Sequence, residues 1–148
     1  MEDQMEVRLM KFNRIYKELD DIYHNYAKAR GLSDSAFWVF YFICERMEAY
    51  TQAELCANWY YSRQTINSTL KNLEKQGYIA LVPEPGNRKN KQIRLTREGE
   101  SFAEKMILPL VEAEKNSFRN MKEEERDGLE RLFGIHVKLL EEEVRKIP

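Results

Sequence analysis

The chain has 148 residues, 43% of them hydrophobic and 33% charged, with a mean hydropathy of −0.68. That allows one domain with a real core, and no apolar run approaches the roughly 20 residues a membrane-spanning helix needs. The formal net charge of −1 speaks, taken alone, against a partner as highly charged as nucleic acid.

The N-terminal MEDQMEVRLMKF carries acids where a secretory leader has a basic and then an apolar block, so the expected location is the cytoplasm. Residues 6–30 read as a long amphipathic helix, with Phe12, Ile15, Tyr16, Leu19, Ile22, Tyr23 and Tyr26 at three- and four-residue steps and Gly31 as its stop. Its apolar arc is wide enough that it either lies deep in the core or packs on a second chain. Ser33 is a cap for the next helix, with Asp34 in the first turn. Phe37, Trp38, Phe40, Tyr41, Cys44 and Met47 cover nearly all of that helix, which predicts a central buried element.

The stretch from Thr51 to Leu73 reads as two short helices with a tight break. Thr51 and Glu54 form the T-x-x-E pattern of a capping box, and Ser62 supplies a second cap beyond the aperiodic Asn58-Trp59-Tyr60-Tyr61 run. From there Ile66, Leu70 and Leu73 share one face, and Gln64, Asn67, Ser68, Lys71 and Lys75 the other; Gly77 stands where a left-handed cap would close the helix. There is no acid between Ser62 and Asn72. Amides pair with adenine edges and Arg or Lys with guanine, so this face has the chemistry of a base-reading helix in a helix-turn-helix. A short hairpin of helices with a merely wet polar face is the plainer alternative.

After Gly77 the period changes. Tyr78–Val82 and Gln92–Thr96 read as strands, with Ile93 and Leu95 inward and Gln92 and Arg94 outward. Between them lie the turn cluster 83–87 and a basic loop, Arg88-Lys89-Asn90-Lys91. Such a hairpin is a wing whose cations suit phosphates or the minor groove. Thr96 caps the next helix, whose apolar face is Phe102, Met106, Leu110 and Val111 and which Pro109 should kink. A last helix runs from about Glu123 to Arg145 with the stripe Leu129, Leu132, Phe133, His136, Leu140 and Val144.

Charge is distributed unevenly along this plan. Residues 51–97 hold eight bases and three acids, a net of +5, which leaves 16 of the 24 bases and 22 of the 25 acids, a net of −6, for the rest. A basic middle between acidic ends is an electrostatic footprint for phosphate. Cys44 and Cys56 read as core thiols, and His24 and His136 lack companions at metal-ligand spacing. No nucleophile–base pair, phosphate loop or metal cluster is present, so the sequence predicts no catalytic residue, no metal, no cofactor and no enzyme. Apolar stripes on both terminal helices would be exposed in a lone chain; a two-fold copy would bury them and present two reading helices about 34 Å apart.

The segments T-Q-A-E-L, S-R-Q-T-I-N-S-T-L-K-N-L-E-K-Q-G-Y-I and R-L-T-R-E-G, in this order, resemble the MarR family of bacterial transcriptional regulators over nearly the whole chain. The resemblance implies a mainly α (α+β) fold, one domain over 1–148. Residues 33–97 would be a winged helix-turn-helix, and 1–32 and 98–148 dimerisation helices. It implies a homodimer on double-stranded DNA at a pseudo-palindromic operator, commonly a repressor and often released by a small ligand. Base reading then falls on Arg63, Gln64, Thr65, Asn67, Ser68 and Lys71, and the wing role on Arg88, Lys89 and Lys91.

The chain departs from the family in three places. Asn87, Arg88 and Lys89 stand where an aspartate, a variable residue and an arginine are usual, leaving a looser tip or Arg88 in the arginine's role. Tyr60 is bulky where a small residue is common, and the first helix lacks the cysteine of the family's redox sensors, so no thiol switch is expected. The resemblance also puts an effector pocket between the dimer helices and the reading unit, bordered by Tyr16, Tyr23, Phe37, Trp38 and Tyr41. An aromatic stripe at helical spacing is more often core than pocket. The near-neutral total charge keeps a second function in view, a winged-helix module that binds protein without specific DNA recognition.

Overall fold

A computed structural model describes residues 2–45, 50–58 and 61–148. Its elements are α1 (Glu2–Lys28), α2 (Asp34–Glu45), β1 (Tyr50–Thr51), α3 (Gln52–Asn58), α4 (Arg63–Lys75), β2 (Ile79–Glu84), β3 (Asn87–Leu95), α5 (Arg97–Met106), α6 (Leu108–Arg119) and α7 (Glu123–Val144). The fold is mainly helical with a small antiparallel sheet, the winged-helix arrangement the sequence implies. By its contacts the chain divides into Met1–Ile107 and Leu108–Pro148. No helix among the described residues is long and apolar enough to cross a membrane.

In the first unit, α2 is the central element, with Phe37, Val39, Phe40 and Ile43 buried. Ala27 of α1, Leu55 of α3, Ile66, Leu70 and Leu73 of α4, Ile79 and Ile93 of the sheet, Ala103 of α5 and Ile107 join it in the core. Phe40 meets the edge of Phe102 at 5.1 Å between centroids, and Tyr78 lies 4.4 Å from Phe102. Burying the Phe40 ring contributes about 1.5–3 kcal/mol relative to exposure. The predicted position of Met47 lies outside the described residues, as do Trp59 and Tyr60.

Local chemistry sets the boundaries. Gly31 (φ 73°) ends α1, with Leu32 N donating to the Ala27 carbonyl at 3.0 Å; Gly77 (φ 82°) ends α4 the same way, with Tyr78 N on the Leu73 carbonyl at 3.0 Å. Both are left-handed caps that satisfy carbonyls the helix leaves open. Ser33 Oγ accepts from Ala36 N, and Ser62 Oγ from Thr65 N. Thr51 and Glu54 exchange side chain for backbone, Thr51 N to Glu54 Oε2 at 2.9 Å and Glu54 N to Thr51 Oγ1 at 3.1 Å. Gly99 is required by a close approach rather than by its dihedrals, since a β-carbon there would collide with the Tyr78 carbonyl.

Four expectations are corrected. Helix α1 begins at Glu2, before residue 6, and does not lie deep in the core, because Ala27 is its one buried residue among those described. The loop expected at 88–91 is strand: β3 starts at Asn87, and only Pro85-Gly86 turns the chain. Pro83 is accommodated in β2 at a register shift between Pro83 and Glu84, where a missing N–H is tolerated. The sheet also has a third strand, β1, in the order β1-β3-β2, pairing Tyr50 with Ile93 and Thr51 with Gln92. Two residues are too few to show a period in sequence. Finally, the single kinked helix near Pro109 is two helices, α5 ending at Met106 and α6 starting at Leu108. Proline lacks the N–H that would reach back four residues and disfavours helical dihedrals just before it.

The second unit comprises α6 and α7. Lys122 N donates to Glu125 Oε2 at 2.8 Å at the start of α7, and Arg126 donates to the Phe118 carbonyl at 3.1 Å. Helix α7 has no buried residue, and Leu129, Leu132, Phe133, Leu140 and Val144 are all exposed, with His136 half-buried.

Candidate nucleic-acid interface

Helix α4 is anchored from inside and open outside. Ile66, Thr69, Leu70 and Leu73 are buried, and Thr69 Oγ1 donates to Ser35 Oγ of α2 at 3.2 Å. Arg63, Gln64, Ser68 and Lys71 are exposed. No acid occupies the first turn, so the positive end of the helix dipole is left to attract an outside anion. Thr65 is half-buried, and its hydroxyl lies 2.9 Å from Ser62 Oγ, so it serves the cap.

Two clefts flank the helix. One, about 290 Å³, is lined by Gln52, Ala53, Cys56, Arg63, Asn67, Asn87, Lys89 and Asn90. It brings the predicted cations Arg63 and Lys89 from helix and wing to one concavity with no carboxylate among the described residues of its lining. The other, about 350 Å³, runs along Ser33, Ser35, Ala36, Gln64, Thr65, Ser68, Thr69 and Asn72. The face predicted as one surface is thus split by the ridge of the helix, with Asn67 toward the wing and Gln64 and Ser68 toward α2.

The wing is tied down by Asn87, Asn90 and Glu84, so its tip is not left loose by the missing aspartate. Asn87 Oδ1 accepts from Lys89 N at 3.2 Å and Asn90 N at 3.3 Å, so this asparagine shapes the tip as a local side-chain turn. Asn90 donates to Glu84 Oε2 at 2.7 Å, and its Oδ1 accepts from Ala53 N at 3.2 Å. The second bond satisfies an open first-turn donor of α3 from a strand 37 residues away. Arg88 and Lys89 are exposed, and Lys91 is half-buried opposite Pro83. Gln52 Nε2 donates to Asn67 Oδ1 at 2.6 Å, joining α3 to α4.

The aromatic candidates separate. Tyr23 and Trp38, 4.9 Å apart at their centroids, line a cleft of about 460 Å³ with Lys17, Asp20, Asp21, His24, Asp34 and Tyr61. His24 Nδ1 lies 2.9 Å from Asp34 Oδ1, and Lys17 donates to Asp21 at 2.6 Å. Phe37 is in the core, Tyr41 packs on Trp38 at 5.6 Å, and Tyr16 is exposed; none of the three lines this cleft. Among the thiols, both half-buried, burial pushes Cys44 up to about 11, and Cys56 borders the wing-side cleft. Among the described residues no three His, Cys, Asp or Glu side chains gather as metal donors would.

With this geometry in hand, likeness to known proteins is informative. Residues 30–89 match the model of the MarR family. The HTH-type transcriptional regulator PecS of Dickeya dadantii is 32% identical over 73 residues, a match covering 49% of this chain and 44% of PecS. The chain thus spans less than half the length of that relative. Among solved structures, a MarR family regulator from Neisseria meningitidis has a TM-score of 0.72 at 18% identity, covering 95% of this chain and 99% of that one. The S. aureus MepR–DNA complex gives 0.71 at 17% identity, covering 88% and 96%. At these identities the structural likeness establishes the fold.

Proposed function

We propose that the chain, whose residues 30–89 match the MarR family model, is a MarR-type homodimeric, sequence-specific DNA-binding transcriptional regulator, a repressor released by a small ligand, and not an enzyme. The observation that carries this reading is the polar N-terminal half of α4, with no acid in its first turn and with Arg63 and Lys89 of the wing lining one cleft. Arg63, Gln64, Asn67, Ser68 and Lys71 take the base edges and adjoining phosphates, Thr65 holds the helix start, and Arg88, Lys89 and Lys91 take flanking phosphates. The structural neighbour solved with DNA supports the same mode of use.

The exposed apolar stripes support the dimer. Met10, Ile15, Leu19 and Ile22 on α1 and Leu132, Phe133 and Leu140 on α7 are each at least 41% exposed, more apolar surface than a lone chain ordinarily leaves in water. In this reading residues 1–32 and 98–148 hold the twin and 33–97 read the duplex. The ligand enters the cleft beside Tyr23 and Trp38, whose polar rim joins α1 to the start of α2 through His24 and Asp34.

A gel shift on a selected duplex and a scrambled one, at two salt concentrations, tests the proposal. Preferential retention of the selected duplex, weakened by salt, is expected. Equal binding to both duplexes, or none at low salt, rejects it, and absence of binding at low salt favours a protein-interaction module.

A further inference from the structure

Asn67 stands one helical turn after Arg63 on α4, and both line the wing-side cleft. A free asparagine amide offers an acceptor and donors side by side and can pair with adenine through both. This amide is not free. Gln52 Nε2 donates to Asn67 Oδ1 at 2.6 Å, and both side chains are half-buried.

Gln52 is itself held on a fixed backbone. It is the first residue of α3, inside the Thr51–Glu54 capping box, and the next N–H, that of Ala53, is bound by Asn90 of the wing. The Asn67 oxygen is therefore turned toward α3 and occupied, while its Nδ2 has no hydrogen-bond partner among the described residues. With that oxygen held toward α3, an outward Nδ2 meets adenine at N7 but also faces its N6 amine, donor against donor, and the two-bond pair is lost.

We infer that Gln52 is a positioning residue that turns Asn67 so that it reads by donation only, favouring guanine (O6, N7) or thymine (O4) over adenine, whose single acceptor N7 lies beside its own N6 donor. The inference rests on α4 entering the groove as proposed above, and it reverses the adenine pairing that the asparagine alone suggests.

The test reads base preference, which a merely structural role would not move. Duplexes are selected from a random pool by wild type and by Asn67→Ala, Gln52→Met and Gln52→Glu, each first checked for an unchanged melting transition. The position at which Asn67→Ala flattens the preference is the one Asn67 reads. There wild type should favour guanine or thymine over adenine by about tenfold or more. Gln52→Met frees the oxygen and should raise adenine. Gln52→Glu can only accept, so it should draw Nδ2 inward, turn Oδ1 outward and favour cytosine, whose N4 donates. Its added charge lowers affinity for every duplex and leaves this ratio readable. Adenine preferred by wild type, no position flattened by Asn67→Ala, or a preference unchanged in both Gln52 variants overturns the inference while leaving DNA binding standing. Failure of wild type to enrich any duplex overturns both.

Discussion

Helices α4 and α7 are both amphipathic, yet α4 buries four of its 13 residues and the 22-residue α7 buries none. The first is complete within one chain. It is capped by Ser62, closed at Gly77, packed on α2 and pinned through Asn67 to α3. The second is capped at Lys122 and ion-paired at its far end by Arg145 and Glu141, but its apolar side meets no core. An exposed pair such as Arg145–Glu141 adds about 0–1 kcal/mol and cannot replace burial. The difference teaches that α4 is complete within one chain, whereas α7, in the proposed dimer, is one half of a contact.

If that contrast is right, charge in the α7 stripe should do the greatest harm to assembly and little to the fold of one chain. Leu132→Asp would bury an unpaired carboxylate in the dimer, at a cost of about 3–5 kcal/mol. Sedimentation equilibrium should then show single chains where the proposal has wild type as a dimer, and an unchanged mass would break the comparison. In the winged-helix centre the reverse holds. Leu70→Ala should cost about 2–5 kcal/mol of folding stability by denaturant titration, in a manner independent of dimer concentration.

Smaller effects sharpen the contrast. Ser62→Ala removes the α4 cap and should cost about 1 kcal/mol in the same titration. Lys89→Ala should leave folding unchanged, weaken all duplexes alike and reduce the slope of log K against log salt by about 0.9. The smallest effect is on thiol chemistry. With Cys44 raised to about 11 by burial, the thiolate is a minor species at neutral pH, and stability gained by keeping it protonated is lost only as pH rises toward that value. A thiolate-directed reagent at neutral pH should label Cys44 in unfolded protein and spare it in folded protein, as peptide mass mapping would record.

What the sequence disclosed was mostly local. Ser33, the Thr51–Glu54 pair, Ser62, Gly77 and Thr96 declare helix ends because a cap is made within a few residues of the end it serves. The α4 core face and the α7 stripe were readable from their period. The pairings across the fold were not. Strand β1 needs β3 to exist, Asn90 meets Ala53 over 37 residues, and Gln52 meets Asn67 over 15. His24 and Asp34 read separately as an unaccompanied histidine and a helix-start acid, and only the packing of α1 on α2 makes them a pair. The basic run 88–91 read as loop because its charges hid a strand register that the turn at Pro85-Gly86 imposes. Composition identified what α4 could touch, and three-dimensional contacts decide which atoms remain to touch it.

The central claim is that two copies of this chain lay two α4 helices on one duplex. Its most direct test is selection of bound duplexes from a random pool by wild-type protein, followed by sequencing. The account predicts enrichment of a two-fold symmetric site with half-site centres about one helical turn, 10–10.5 base pairs, or a multiple of it, apart. Binding that enriches no sequence, or a single asymmetric half-site retained by single chains, would contradict it.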